Sequence, residues 1–103
     1  MTVSFEGMDK FIGKTIKPEY AQYIQLDVDK RRHYLTRPDF YSGNTHINMY
    51  IFVDEANKII GFEGDKCYSH YSGLYNRSAS VREGKFTARD IAFLRKEAKK
   101  ITE

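Results

Sequence analysis

Tryptophan is absent from this chain, cysteine occurs once, proline twice, and apolar residues never gather into a long run. Each shortage excludes something. Cys67 stands alone, so no internal disulfide can staple the fold. A bilayer span needs about 18 or more consecutive apolar residues, and nothing here approaches that. The opening stretch, MTVSFEGMDK, has no basic region followed by an apolar core, so no secretory leader is expected. Together these shortages favour a cytoplasmic protein with no membrane partner. Asn76-Arg77-Ser78 matches a glycosylation acceptor, but without export the match is chance.

What is present suits a globular chain. Of 103 residues, 41% are hydrophobic and 30% charged, which points to one folded domain over residues 1–103. A chain this long buries about 65% of its unfolded surface, enough to fold without metals or cofactors. The net charge of +3 conceals an asymmetry. Residues 1–65 hold 8 Lys/Arg against 10 Asp/Glu, whereas residues 66–103 hold 9 against 4. The basic C-terminal third suits an acidic partner or nucleic acid, although such charges also simply solvate a helix and loops.

The strongest pattern runs from His46 to Gly64. Ile47, Met49, Ile51 and Val53 alternate with His46, Asn48, Tyr50 and Phe52, which puts the two sets on opposite faces of one strand. Asp54 to Lys58 supplies turn residues, and Ile59 to Glu63 returns as a second strand. Near the end, Ile91, Leu94, Ala98 and Ile101 form one stripe of an amphipathic helix from Ala88 to Ile101. Thr87 is its N-cap, Asp90 lies in its first turn, and Lys99 and Lys100 suit its C-terminal dipole. His33 to Thr36 reads as a short strand after a charged Asp29–Arg32 turn, and Val3 and Phe5 as another ending at Gly7. Residues 18–29 are ambiguous. Pro18 can start a helix, but Ile24, Leu26 and Val28 alternate, which favours a strand from Tyr23 to Val28. RPDFYSGNT, residues 37–45, is the clearest loop, and Asp65 to Ser80 reads as a short strand near Cys67 to Tyr71 followed by a long polar loop. The expected fold is α+β, an antiparallel sheet of about four or five short strands with the C-terminal helix across one face.

No motif fixes a chemistry. Gly7 to Thr15 nearly spells a phosphate-binding loop, but five residues separate Gly7 from Gly13, one more than the motif allows. An apolar turn anchored by Phe11 and Ile12 is the simpler reading. FEGMDK at Phe5 and FEGDK at Phe62 look alike only briefly, so no repeat is inferred. Cys67-x-x-His70 has a metal-like gap but no second pair, and on a strand the two would face opposite ways, so no metal is expected. No serine elbow occurs either. A small histidine-dependent hydrolase, such as a ribonuclease, would use His46 or His70 with Glu63 and Arg77 or Arg82, though nothing in the spacing makes them converge.

The aromatic content weighs toward binding instead of catalysis. Eight Tyr and seven Phe occur, many of the tyrosines beside Ser, Asn, His or Arg. Tyrosine gives large contact area at low entropic cost, which suits recognition surfaces. Moreover, a strand apolar on both faces leaves one face for loops, a second copy or a partner, since the single helix covers only the other. The first expectation is a non-enzymatic module that contacts a protein partner stoichiometrically, as an adaptor or inhibitor, through a Tyr/His/Arg-rich loop and the uncovered sheet face. Its candidate contacts are Tyr68, His70, Tyr71, Tyr75, Arg77, Phe40 and Tyr41. Nucleic-acid binding through Arg77, Arg82, Lys85, Arg89, Lys96, Lys99 and Lys100 is the alternative. A homodimer is compatible with either.

Overall fold

The computed structural model of the chain describes residues 7–39, 45–72, 77–82 and 86–103, with backbone alone for 45–46, 65–72 and 77–82. The expected strand at Val3 and Phe5 lies outside these residues. After a 3-10 turn at Asp9–Phe11, a short helix α1 (Pro18–Ala21) precedes β1 (Gln25–Leu26), β2 (Arg32–Thr36), β3 (Thr45–Val53), β4 (Ile59–Ser72) and β5 (Arg77–Arg82). Helix α2 (Ala88–Ile101) completes the order. The strands form one antiparallel sheet in sequence order, β1-β2-β3-β4-β5. This is the expected α+β arrangement, with β3 and β4 longer than anticipated.

α2 forms where its pattern predicts. Thr87 accepts a hydrogen bond from the Asp90 backbone amide, while the Asp90 carboxylate accepts one from the Thr87 amide at 2.8 Å. Such a capping box satisfies two orphan donors, and a cap of this kind contributes about 1 kcal/mol. Ile91, Leu94, Ala98 and Ile101 are all buried, in one core with Ile47, Met49, Ile51, Val53 and Ile59 of the sheet. Met8, Phe11 and Ile16 close that core from the N-terminal side.

The central hairpin contains a correction that decides which residues reach the core. Phe52 pairs with Gly61 but Val53 with Ile59, so Ile60 is an extra residue in a β-bulge. The bulge restores parity for a sequence in which Ile59 and Ile60 cannot both be buried. Ile59 is 1% exposed and Ile60 59% exposed. The turn itself is held by the Asp54 carboxylate, which accepts from the amides of Ala56 and Lys58, and by Asn57 in the left-handed region. Arg32 reaches across from β2 and donates to the Asp54 carbonyl and, at 2.8 Å, to the Asn57 side chain.

Two further expectations change. The strand expected from Tyr23 to Val28 shrinks to Gln25–Leu26, because Pro18 starts α1 and Asp27 turns the chain. One Asp27 carboxylate oxygen accepts from the amides of both Asp29 and Arg31, and Lys30 takes a positive φ of 64°. Alternation at Ile24, Leu26 and Val28 therefore marks no buried face. The short strand expected near Cys67 to Tyr71 is the end of β4, whereas Arg77 to Ser80 of the polar loop expected after it belong to β5; residues 73–76 lie outside the described residues. Tyrosine favours strands, and pairing with β3 extends β4 as far as Tyr68.

The near phosphate loop has a structural use. Gly13 and Ile59 exchange with this segment twice, Gly13 N–H to the Ile59 carbonyl and Ile59 N–H to the Lys14 carbonyl. Ile16 N–H donates to Asn57, Lys17 N–H to Ile101 and Glu103 N–H to Thr15. The segment thus stitches the hairpin turn to the end of α2. Its amides at Gly13 and Lys14 are spent on carbonyls and face no phosphate. Phe11 is buried as expected, but Ile12 is 46% exposed and anchors nothing.

Candidate partner-binding face

α2 covers Ile47, Met49, Ile51 and Val53, so the sheet face opposite is the one that carries Asn48, Tyr50 and Phe52. Register brings His33 and Leu35 of β2 beside Phe52 and Tyr50, and Glu63 of β4 beside Tyr50 on the other flank. The three rings form one cluster. His33 meets Tyr50 edge-on at 5.2 Å and Phe52 at 5.9 Å, while Tyr50 and Phe52 stack at 6.1 Å. Edge-to-face and offset contacts of this kind add to plain burial, because ring edges and faces carry opposite partial charge. His33 is 5% exposed and Phe52 7%, so the cluster is built in and not a loose surface patch.

The turn between β1 and β2 roofs part of this face. Arg31 places its guanidinium 4.4 Å from the centre of the Phe52 ring. Its Nε donates to Asp27 at 2.7 Å and its Nη1 to Glu63 at 2.8 Å. The His33 Nδ1 lies 3.4 Å from the Arg31 carbonyl oxygen. Further along β3, Arg37 donates to the Asn48 side chain at 2.7 Å. Beneath the turn is a cleft of about 500 Å³ lined by Leu26, Val28, Leu35, Tyr50, Phe52 and charged neighbours. A second cleft of about 510 Å³ shares Arg31, Phe52 and Glu63 with the first, so the Arg31–Glu63 pair stands at their common boundary. Apolar groups at the rim remain in water: Val28 is 94% exposed and Leu26 60%.

Electrostatics orders the turn in a pH-dependent way. The Asp27 carboxyl is held below the usual carboxylate range, first by the Arg31 backbone amide; desolvation, next in size, opposes this, and the Arg31 guanidinium and the Asp29 amide add to the lowering. Because the folded value is depressed, this contribution is fully present above the unfolded aspartate value and lost as pH falls through the folded one. Amide resonances of Asp29 and Arg31 should accordingly stay fixed at neutral pH and move together below about pH 4. In Asp27→Asn that acid transition should vanish from both amides; its persistence would place the titrating group elsewhere.

The residues expected from the sequence are dispersed differently. Tyr68, His70 and Tyr71 lie on β4 and Arg77 on β5, in strands and not in a loop. Tyr68 and His70 hold register positions of the Met49–Gly64 parity, Tyr71 those of the Tyr50–Glu63 parity. Phe40, Tyr41, Tyr75 and Lys85 lie outside the described residues. Arg77 and Arg82 stand at opposite ends of β5. Arg89, Lys96, Lys99 and Lys100 are exposed on α2, away from its buried stripe, and Lys100 is bound by Glu97 at 3.1 Å.

The hydrolase set does not assemble. His46 pairs with Cys67 and Glu63 with Tyr50, which separates His46 from Glu63 by about 13 Å along the sheet. His70 and Glu63 have opposite parity. As expected, so do Cys67 and His70; the histidine opposite Cys67 is His46, with Arg82 next in the row. Among the described residues no group of three or more His, Cys, Asp or Glu is placed to hold a metal, and no helix is long and apolar enough to cross a membrane.

The chain matches no protein-family model, no curated protein and no solved structure. Function is then legible only from its own geometry. That geometry brings together residues that sequence reasoning passed over: Arg31, His33 and the rim pair Leu26 and Val28. The alternation in β3 marks Tyr50 and Phe52 as the second apolar face, but nothing local in DVDKRRH signals that its arginine returns onto an aromatic ring.

Proposed function

We propose that this protein is a non-enzymatic binding module that contacts a protein partner stoichiometrically, in the manner of an adaptor or inhibitor, through the sheet face opposite α2. The supporting observation is the pairing of a built aromatic cluster, His33, Tyr50 and Phe52, with a neighbouring cleft whose apolar rim is left in water. Docking removes exposed apolar surface from water; Leu26 and Val28 supply that surface, and the buried rings of His33 and Phe52 form the rigid floor beside it. Catalysis has less support, since His33 is enclosed by rings and His46 stands far from Glu63. The nucleic-acid reading would use Arg77, Arg82 and Lys85 with the basic face of α2, and the solvation of surface charges is a simpler role for the α2 cations.

Val28→Asp tests the reading without touching the core, because Val28 is almost wholly exposed. The expected result is loss of a stoichiometric protein companion, seen when the wild-type chain is purified from its native cell, at an unchanged melting temperature. Cross-links from that companion should map to residues 26–35 and 50–63. Retention of the companion by both Val28→Asp and Leu26→Asp would overturn the assignment, as would a companion consisting of nucleic acid lost at high salt.

A further inference from the structure

The cleft under the β1–β2 turn carries a charge opposite in sign to that of the chain. Of its lining residues, Asp27, Asp29 and Glu63 are acidic, and Arg31 is the one Lys or Arg. Their formal sum is three negative charges and one positive, or −2, whereas the chain sums to +3. Arg31 can offset one carboxylate of the three. Glu63 keeps over half of its side chain in solvent at 56%, although it is paired with Arg31.

Arg31 also displays what this surface accepts. A planar cation lies on the Phe52 face between two carboxylates, at 4.4 Å from the ring centre and 2.7 and 2.8 Å from the oxygens. Carboxylates recognise guanidinium and ammonium ions, and with the Phe52 face taken by Arg31 the cleft still lines its wall with Asp29 and Glu63. Leu26, Val28 and Leu35 line the same cleft and offer apolar contact to whatever carries the cation. A phosphate backbone would meet like charge at this place and is disfavoured.

From this juxtaposition we propose that the cleft takes a basic side chain, arginine or lysine, borne on an extended apolar segment of a protein partner. The proposal rests on the binding-module reading above and names the chemistry of its partner. The cation meets Asp29 and Glu63, and flanking apolar side chains cover Leu26 and Val28. Arg31 remains over Phe52 as the wall shared with the second cleft.

The test uses the full chain, labelled with ¹⁵N, and three short capped peptides. One alternates valine with arginine, one replaces each arginine by uncharged citrulline, and one replaces it by glutamate. The arginine peptide should shift amides in residues 26–35, 50–53 and 61–63, and bind at least about fivefold more tightly than the citrulline peptide. The glutamate peptide should not bind. Asp29→Asn and Glu63→Gln should each narrow the gap between the arginine and citrulline peptides, the arginine peptide losing more affinity than the citrulline peptide. Equal binding of the arginine and citrulline peptides at this cleft would overturn the cation assignment and leave the apolar face as a docking surface. Shifts confined to α2, or no binding by any peptide together with a companion retained by Val28→Asp, would overturn both readings.

Discussion

Leu94→Ala should lower stability by about 3 kcal/mol or more, the largest loss expected from any single truncation in α2. Leu94 is fully buried at the middle of the helix stripe, with Ile91, Ala98 and Ile101 beside it and Met49 and Ile51 in the same core. Truncation removes several buried methyl and methylene groups and leaves a cavity that the sheet cannot follow inward, because β3 is paired on both sides. For a domain of this size such a loss lowers the melting temperature by about 12 °C or more. Urea unfolding followed by circular dichroism would measure it. The same experiment on Val28→Ala, at a residue 94% exposed, should show almost no change. Comparable losses at both positions would mean that α2 does not carry the core.

Gly64→Ala is the second large effect, and its cause is steric. Gly64 sits opposite Met49 on the helix-facing side of β4, and a Cβ there would fall inside the edge of the Phe86 ring. The Asn48 carbonyl oxygen, 3.3 Å from the same point, blocks escape on the other side. Phe86 packs against the core just before the Thr87 cap, so moving its ring also disturbs the start of α2. Overpacking of this kind costs about 1–3 kcal/mol. Phe86→Ala removes the obstacle, so Gly64→Ala should cost much less in that background than in the wild type. A double-mutant cycle therefore has a defined sign. Strict additivity of the two substitutions would show that Phe86 does not lie over Gly64.

Proposals about binding depend on this core only indirectly. The helix and the N-terminal stitch hold one face of the sheet shut, which leaves Tyr50 and Phe52 to the other. Whether that face acts as a surface is then decided by the β1–β2 turn, through Arg31. A short turn of charged residues thus covers the Phe52 ring and still leaves a cleft.

Much of the scaffold was legible in the order of residues, for local reasons. The α2 stripe and its Thr87–Asp90 cap involve spacings of three and four residues, within reach of the helix's own geometry. The β3–β4 turn likewise follows from Asp54 and Asn57, whose side chains and backbone preferences act within the turn itself. The period of two in β3 also showed that both of its faces are apolar, before anything indicated which one the helix takes. Other features required distant parts of the chain. Ile60 is outside because the bulge puts both Ile59 and Phe62 on the core side of β4, where Ile59 is buried and Phe62 half-buried. The short strand near Cys67 to Tyr71 was legible from its tyrosines, but its continuity with Ile59–Gly64 and its pairing with β5 are set by β3 and β5. Arg31 is a wall of the candidate site only because β4 brings Glu63 to it across 32 residues of sequence, while β3 supplies Phe52. Side-chain spacing reports contacts within one element; pairing register and charge across strands arise only when the sheet closes.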